Sequence, residues 1–66
     1  MLVSKMLKEH NGYCVEKMWR VGLDGRKIYG STRYVAYDDN MQWLGNMSTT
    51  LRDAHQLIDD HVKGVI

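Results

Sequence analysis

From Tyr13 to Val21 the side chains alternate with a period of two: Tyr13, Val15, Trp19 and Val21 share one face, with Lys17 the single polar interruption, and Cys14, Glu16, Met18 and Arg20 share the other. That is the pattern of a strand with one covered face. Gly22-Leu23-Asp24-Gly25 follows, and Asp-Gly is a favoured pair for a tight hairpin turn. The pattern then predicts a second strand from about Lys27 to Tyr37, where Gly30 suggests a bulge or a close backbone approach. Asp38-Asp39-Asn40 reads as a turn, Met41–Leu44 as a short third strand, and Gly45-Asn46 as its stop.

After residue 50 the period changes. Leu51, Ala54, Leu57, Ile58 and Val62 recur at spacings of three and four, which is one apolar stripe on a helix. Thr50 is a good N-cap with Asp53 three residues on, and Gly64 fits the position just past the end, so a helix is predicted over residues 50–63. At the other end Leu2, Val3, Met6 and Leu7 have helical spacing and stop at Asn11-Gly12. Residues 2–10 therefore read as a short helix, with a first strand as the alternative. The predicted class is α+β in one domain spanning residues 1–66: a three-stranded antiparallel meander within residues 13–44 and a C-terminal helix packed on one face.

Length narrows the functional classes. A chain of 66 residues hides only about 60% of the surface of its unfolded form, which leaves little material for a catalytic cleft and its supporting shell. The expectation is a binding protein and not an enzyme. One cysteine, Cys14, excludes an internal disulfide and suits a reducing cytoplasm. No apolar run approaches the roughly 20 residues that cross a bilayer, and residues 1–7, with Ser4 and Lys5, lack the apolar stretch of a signal peptide. The net charge of +1 hides an asymmetry: residues 1–37 hold seven basic and three acidic side chains, residues 38–66 two basic and five acidic. Such a division raises the case for a polyanionic partner.

The candidate chemistry is thin. His55 and His61 are six apart and face different ways on a helix, so the histidines do not spell a metal site. Cys14 between Tyr13 and Val15 reads as a small hydrophobe, and neither Asp38-Asp39 nor Asp59-Asp60 places two carboxylates on one face. The scattered glycines match no phosphate-binding loop, and no cofactor is expected. More informative are Lys17, Arg20, Arg26, Lys27 and Arg33, which fall among Tyr13, Trp19, Tyr29, Tyr34, Tyr37 and Trp43. They could contact phosphates and bases from an open sheet. With no Phe in the chain, the same aromatics could simply form the core. They could also form a protein interface, where Tyr, Trp, Arg and Met are enriched.

The stretch Tyr34–Gly45, then Thr50-Leu51-Arg52-Asp53-Ala54 and Ile58-Asp59, resembles short accessory proteins of tailed bacteriophages over about the last half of the chain. That resemblance implies a small protein in the bacterial cytoplasm that acts by binding host machinery. A three-stranded sheet with one C-terminal helix also resembles the arm-binding domains of phage integrases, which lay the sheet in a DNA major groove, although a net charge of +1 is low for that role. The leading expectation is a host-protein modulator with Trp19, Arg20, Tyr29 and Arg33 as anchors, even though strand alternation also favours Trp19 on the covered face. The alternatives are a nucleic-acid-binding module using Lys17, Arg20, Arg26, Lys27 and Arg33, and a homodimeric structural protein.

Overall fold

A computed structural model describes residues 1–65, the last of them by its backbone alone. The chain runs β1 (Leu2–Met6), β2 (Cys14–Arg20), β3 (Arg33–Tyr37) and α1 (Leu51–Val65), with the strands in one antiparallel sheet of order β1-β2-β3. The α+β meander with a C-terminal helix is therefore present; β2 and β3 lie within two of the expected strands, but the third strand is Leu2–Met6 and not Met41–Leu44.

The first difference lies in residues 2–10, where the alternative reading holds: Leu2–Met6 form a strand, and no helix forms there. Asn11 and Gly12 both have positive φ (52° and 83°), and His10 and Tyr13 exchange backbone hydrogen bonds of 2.9 and 3.0 Å across them. That is a two-residue type I′ hairpin loop, the preferred use of Asn-Gly between strands. It folds β1 back on β2 in the register Leu2↔Arg20 to Met6↔Glu16.

The second difference is in the long central segment. Gly22–Gly25 forms the turn expected there, closed by the Gly25 N–H to the Gly22 carbonyl at 3.0 Å. Lys27 then bridges only to Val21, and the chain turns again over Tyr29-Gly30, with the Ser31 N–H on the Ile28 carbonyl. Gly30 is thus a turn residue with φ 78°, not a strand bulge, and β3 begins only at Arg33. Nor is Met41–Leu44 a strand. Trp43 and Ser48 make isolated bridges to Tyr37 and Tyr34, and the Leu44 N–H reaches the Ala36 carbonyl at 3.0 Å. Residues 43–48 thereby cover the outer edge of β3 in an irregular way.

The helix forms where the capping signal placed it. The Asp53 N–H donates to Thr50 Oγ1 at 3.2 Å, which satisfies one of the orphan donors of the first turn. Asp53 in the first turn and Lys63 in the last suit the helix dipole. The helix runs through Gly64 to Val65 rather than ending before it.

Ala54 and Ile58 of α1 meet Val15 and Ala36 of the sheet, and all four are buried. Leu7, Tyr13, Tyr34, Leu44 and Val62 close around them, whereas Leu51 of the apolar stripe stays at the surface. Val35 is buried on the other side of the sheet, opposite Glu16. The molecule is elongated, 47 × 18 × 17 Å, because α1 packs on β3 and covers one end of the sheet only.

Candidate functional site

On the face away from the helix, β2 places Cys14, Glu16, Met18 and Arg20, as its alternation required, and the register adds Leu2, Ser4 and Met6 from β1 and Arg33, Val35 and Tyr37 from β3. Among the described residues no helix or further strand packs on this face, although Val35 within it is buried, and at the β2 C-terminal end it opens into a groove of about 540 Å³. Its apolar walls are Leu2, Met18, Ile28 and Met47, and its polar groups come from Arg20, Arg33 and the 28–31 turn.

That turn is held in place by its own hydrogen bonds. Ser31 Oγ accepts from the Arg20 N–H at 3.0 Å and donates to the Ile28 carbonyl at 2.6 Å, while the Ile28 N–H reaches the Arg20 carbonyl at 2.9 Å. Tyr29 stands at the apex, fully exposed. Arg33 Nη1 donates to the carbonyls of Gly30 (2.9 Å) and Thr32 (2.8 Å). Two of its bonds are therefore committed within the chain, and the rest of the guanidinium is held in a set direction beside the groove.

Arg20, Tyr29 and Arg33 are thus brought together, but Trp19 does not join them. It lies on the helix side of the sheet beyond the end of α1, half-buried, with the ammonium groups of Lys17 and Lys27 at 5.6 and 5.8 Å from its ring centre. Such contacts are attractive for a ring quadrupole. Lys5 sits directly across from Lys17 on the same side. The five basic residues singled out for nucleic acid are therefore divided: Lys17 and Lys27 on the helix side, Arg20 and Arg33 on the open face, and Arg26 at the hairpin tip 4.0 Å from Asp24. The aromatics divide too. Tyr13 and Tyr34 pack on the core, and Tyr29 and Trp43 are exposed.

Two polar clusters hold the frame of the sheet. In the first, His10 stacks on His55 with ring centres 4.0 Å apart and planes 6° from parallel. Asp59 Oδ1 receives His10 Nε2 at 2.8 Å and the Asn11 side-chain amide at 2.7 Å, and Tyr13 meets His61 edge-on. The histidines are therefore parts of a clasp between the first hairpin and α1, not solvated surface residues. Parallel rings do not aim their nitrogens at a common point, and among the described residues no three His, Cys, Asp or Glu side chains could hold a metal. In the second cluster the Tyr37 hydroxyl donates to Glu16 Oε1 at 2.8 Å on the open face. Burial, that hydrogen bond and the Glu16 charge push the Tyr37 phenol above its usual 10.0, against a smaller opposing pull from Trp43.

Leu2, Ile28 and Met47 escaped sequence reasoning because each reaches the groove from a separate segment. The only local signal was Leu2 in a β1 strand, which requires Asn11-Gly12 to be read as a hairpin loop. Among the described residues no helix is long and apolar enough to cross a membrane. Compared with family models, curated proteins and solved structures, the chain finds no match.

Proposed function

We propose that this chain acts by binding a protein through the uncovered face of its sheet, without catalysing a reaction. The observation that carries this reading is the groove itself: Arg20, Tyr29 and Arg33 around a floor of Leu2, Met18, Ile28 and Met47. Tyr, Arg and Met are the types that interfaces select, and a Tyr or Arg seated in an apolar pocket usually dominates the binding energy. The bonds of the 28–31 turn fix the backbone at Tyr29 before any partner arrives, so its side chain is what remains to be ordered on binding. The resemblance to phage accessory proteins makes a host protein in the bacterial cytoplasm the favoured partner class.

The test is site-specific photocrosslinking in bacterial cells. A crosslinker in place of Tyr29 should label one discrete partner, and Arg20→Ala should reduce that labelling at least tenfold without changing the melting curve. A crosslinker in place of Leu23, exposed at the hairpin tip, should not label it. Equal labelling from both positions would defeat the proposal.

A second reading draws on the other face. Lys17 and Lys27 flank Trp19, Lys5 lies across from Lys17 on the same side, and none of the three lysines has a carboxylate partner among the described residues. Three phosphates neutralised on a single strand would give a log–log salt slope of about −2, from about −0.7 each. Fluorescence anisotropy with a labelled oligonucleotide over a salt series measures it, and a flat response would remove nucleic acid from consideration.

A further inference from the structure

We infer that the outer edge of β1 pairs with the same edge of a second copy, about a two-fold axis at Ser4. The inference begins with hydrogen-bond phase. The Met1 amino group donates to the Val21 carbonyl at 2.9 Å, and the Val21 N–H donates to the Met1 carbonyl at 2.8 Å. Six residues on, the Leu7 N–H donates to the Val15 carbonyl at 2.9 Å. In an antiparallel pair the bonded positions alternate, so Met1, Val3, Lys5 and Leu7 turn their backbone groups toward β2. Leu2, Ser4 and Met6 turn theirs outward, and no segment among the described residues pairs with them. The edge of β3, by contrast, is covered by residues 43–48. An uncovered edge with open donors and acceptors is a template for a further strand.

The side chains choose the register. An axis at Ser4 places Leu2 opposite Met6 of the second copy, Ser4 opposite Ser4, and Met6 opposite Leu2, which engages every outward group of β1 in about six hydrogen bonds. Leu2 and Met6 lie on the open face, 65% and 48% exposed, so this register covers apolar side chains with apolar side chains. On the helix side Val3 faces Lys5 of the other copy. Moving the axis one residue toward the C-terminus would set Lys5 directly against Lys5, and moving it one residue toward the N-terminus would engage only Leu2 and Ser4. Like charges directly opposed are destabilising, so the Ser4-centred register satisfies the most bonds at the least repulsion. Leu2 also lines the groove. The pairing would set two grooves on the same side of one six-stranded sheet.

Sedimentation over a concentration series tests this in the intact chain. The wild type should form a dimer that tightens as salt screens the lysines gathered at the axis. Ser4→Pro removes an outward N–H without touching a β1–β2 bond, and should leave the fold and abolish the dimer. In a Cys14→Ser background, Ser4→Cys should crosslink across the axis on mild oxidation, because directly bonded residues sit at about 5.5 Å between Cα atoms, inside the range a disulfide spans. Val3→Cys in the same background should not crosslink. The crosslink decides the question if Ser4→Pro fails to fold. A strictly monomeric wild type, or a dimer whose Ser4→Cys form does not crosslink, would overturn the inference. Neither result bears on partner capture from Tyr29.

Discussion

One loop geometry occurs twice in this chain, once with the residue it favours and once without. In the first, the Gly25 N–H bonds to the Gly22 carbonyl (3.0 Å) and the Gly22 N–H to the Arg26 carbonyl (2.9 Å); in the second, the Met41 N–H bonds to the Asp38 carbonyl (3.0 Å) and the Asp38 N–H to the Gln42 carbonyl (2.9 Å). Each is a three-residue loop whose last residue is left-handed: Gly25 at φ 80°, Met41 at φ 62°. An L-residue with a side chain loses about 1–2 kcal/mol in that region. Glycine avoids the loss but gives back about 0.5–1 kcal/mol through its greater freedom in the unfolded chain. Met41 is 55% exposed, so its removal sacrifices little burial. Met41→Gly is therefore expected to stabilise the fold by about 0.5–1 kcal/mol, which for a domain of this size raises Tm by about 2–8 °C. The mirror change, Gly25→Ala, adds a Cβ that meets nothing within 4 Å and so isolates the backbone effect. It should lower Tm by a similar amount. The two loops share no residue, and the double variant should return near the wild-type Tm. Thermal unfolding followed by far-UV circular dichroism reads all three. A lower Tm for Met41→Gly would mean instead that the Met41 side chain contributes more than its conformation costs.

Three further outcomes follow from the packing and the polar clusters. Ile58→Ala empties the fully buried centre of the helix–sheet contact. A loss of about 2–5 kcal/mol, set against the ~3–10 kcal/mol expected for a chain this short, should leave a weakly cooperative or absent melting transition; a Tm within a few degrees of wild type would contradict the core described. Asp59→Ala deprives His10 and Asn11 of a shared acceptor at a half-exposed site. It should lower stability by about 1–2 kcal/mol in urea unfolding and shift the His55 ring resonances as the stacking loosens. Tyr37→Phe addresses alkaline pH. Because the folded chain holds the Tyr37 proton more tightly than the unfolded chain does, the associated stability is complete below about pH 10 and is lost as pH rises through the raised pKa. The wild type should therefore lose stability more steeply than Tyr37→Phe above pH 10, and parallel curves would show that the Glu16 contact has no such effect.

The three residues Thr50, Asp53 and Gly25 show what neighbouring residues alone can specify. A cap, a dipole-matched carboxylate and a turn glycine act through contacts two to four residues away, and each was found where its local signal stood. The alternation of β2 likewise determined which of its side chains turn inward and which outward, since a strand leaves no other choice. Asn11-Gly12 was ambiguous because a left-handed pair ends a helix as readily as it closes a hairpin; pairing with β2 decided it. The extent of the second strand failed for a related reason, as Tyr29 and Ile28 are strand-forming types carried in a turn by the bonds of Ser31. The groove and the clasp were decided by the tertiary structure alone. Asp59 meets His10 across 49 residues of chain, and Leu2 meets Met18 and Arg20 only in one register. A chain's local preferences determine its elements and their faces, whereas the side chains that finally share a surface depend on how far one short helix extends over the sheet.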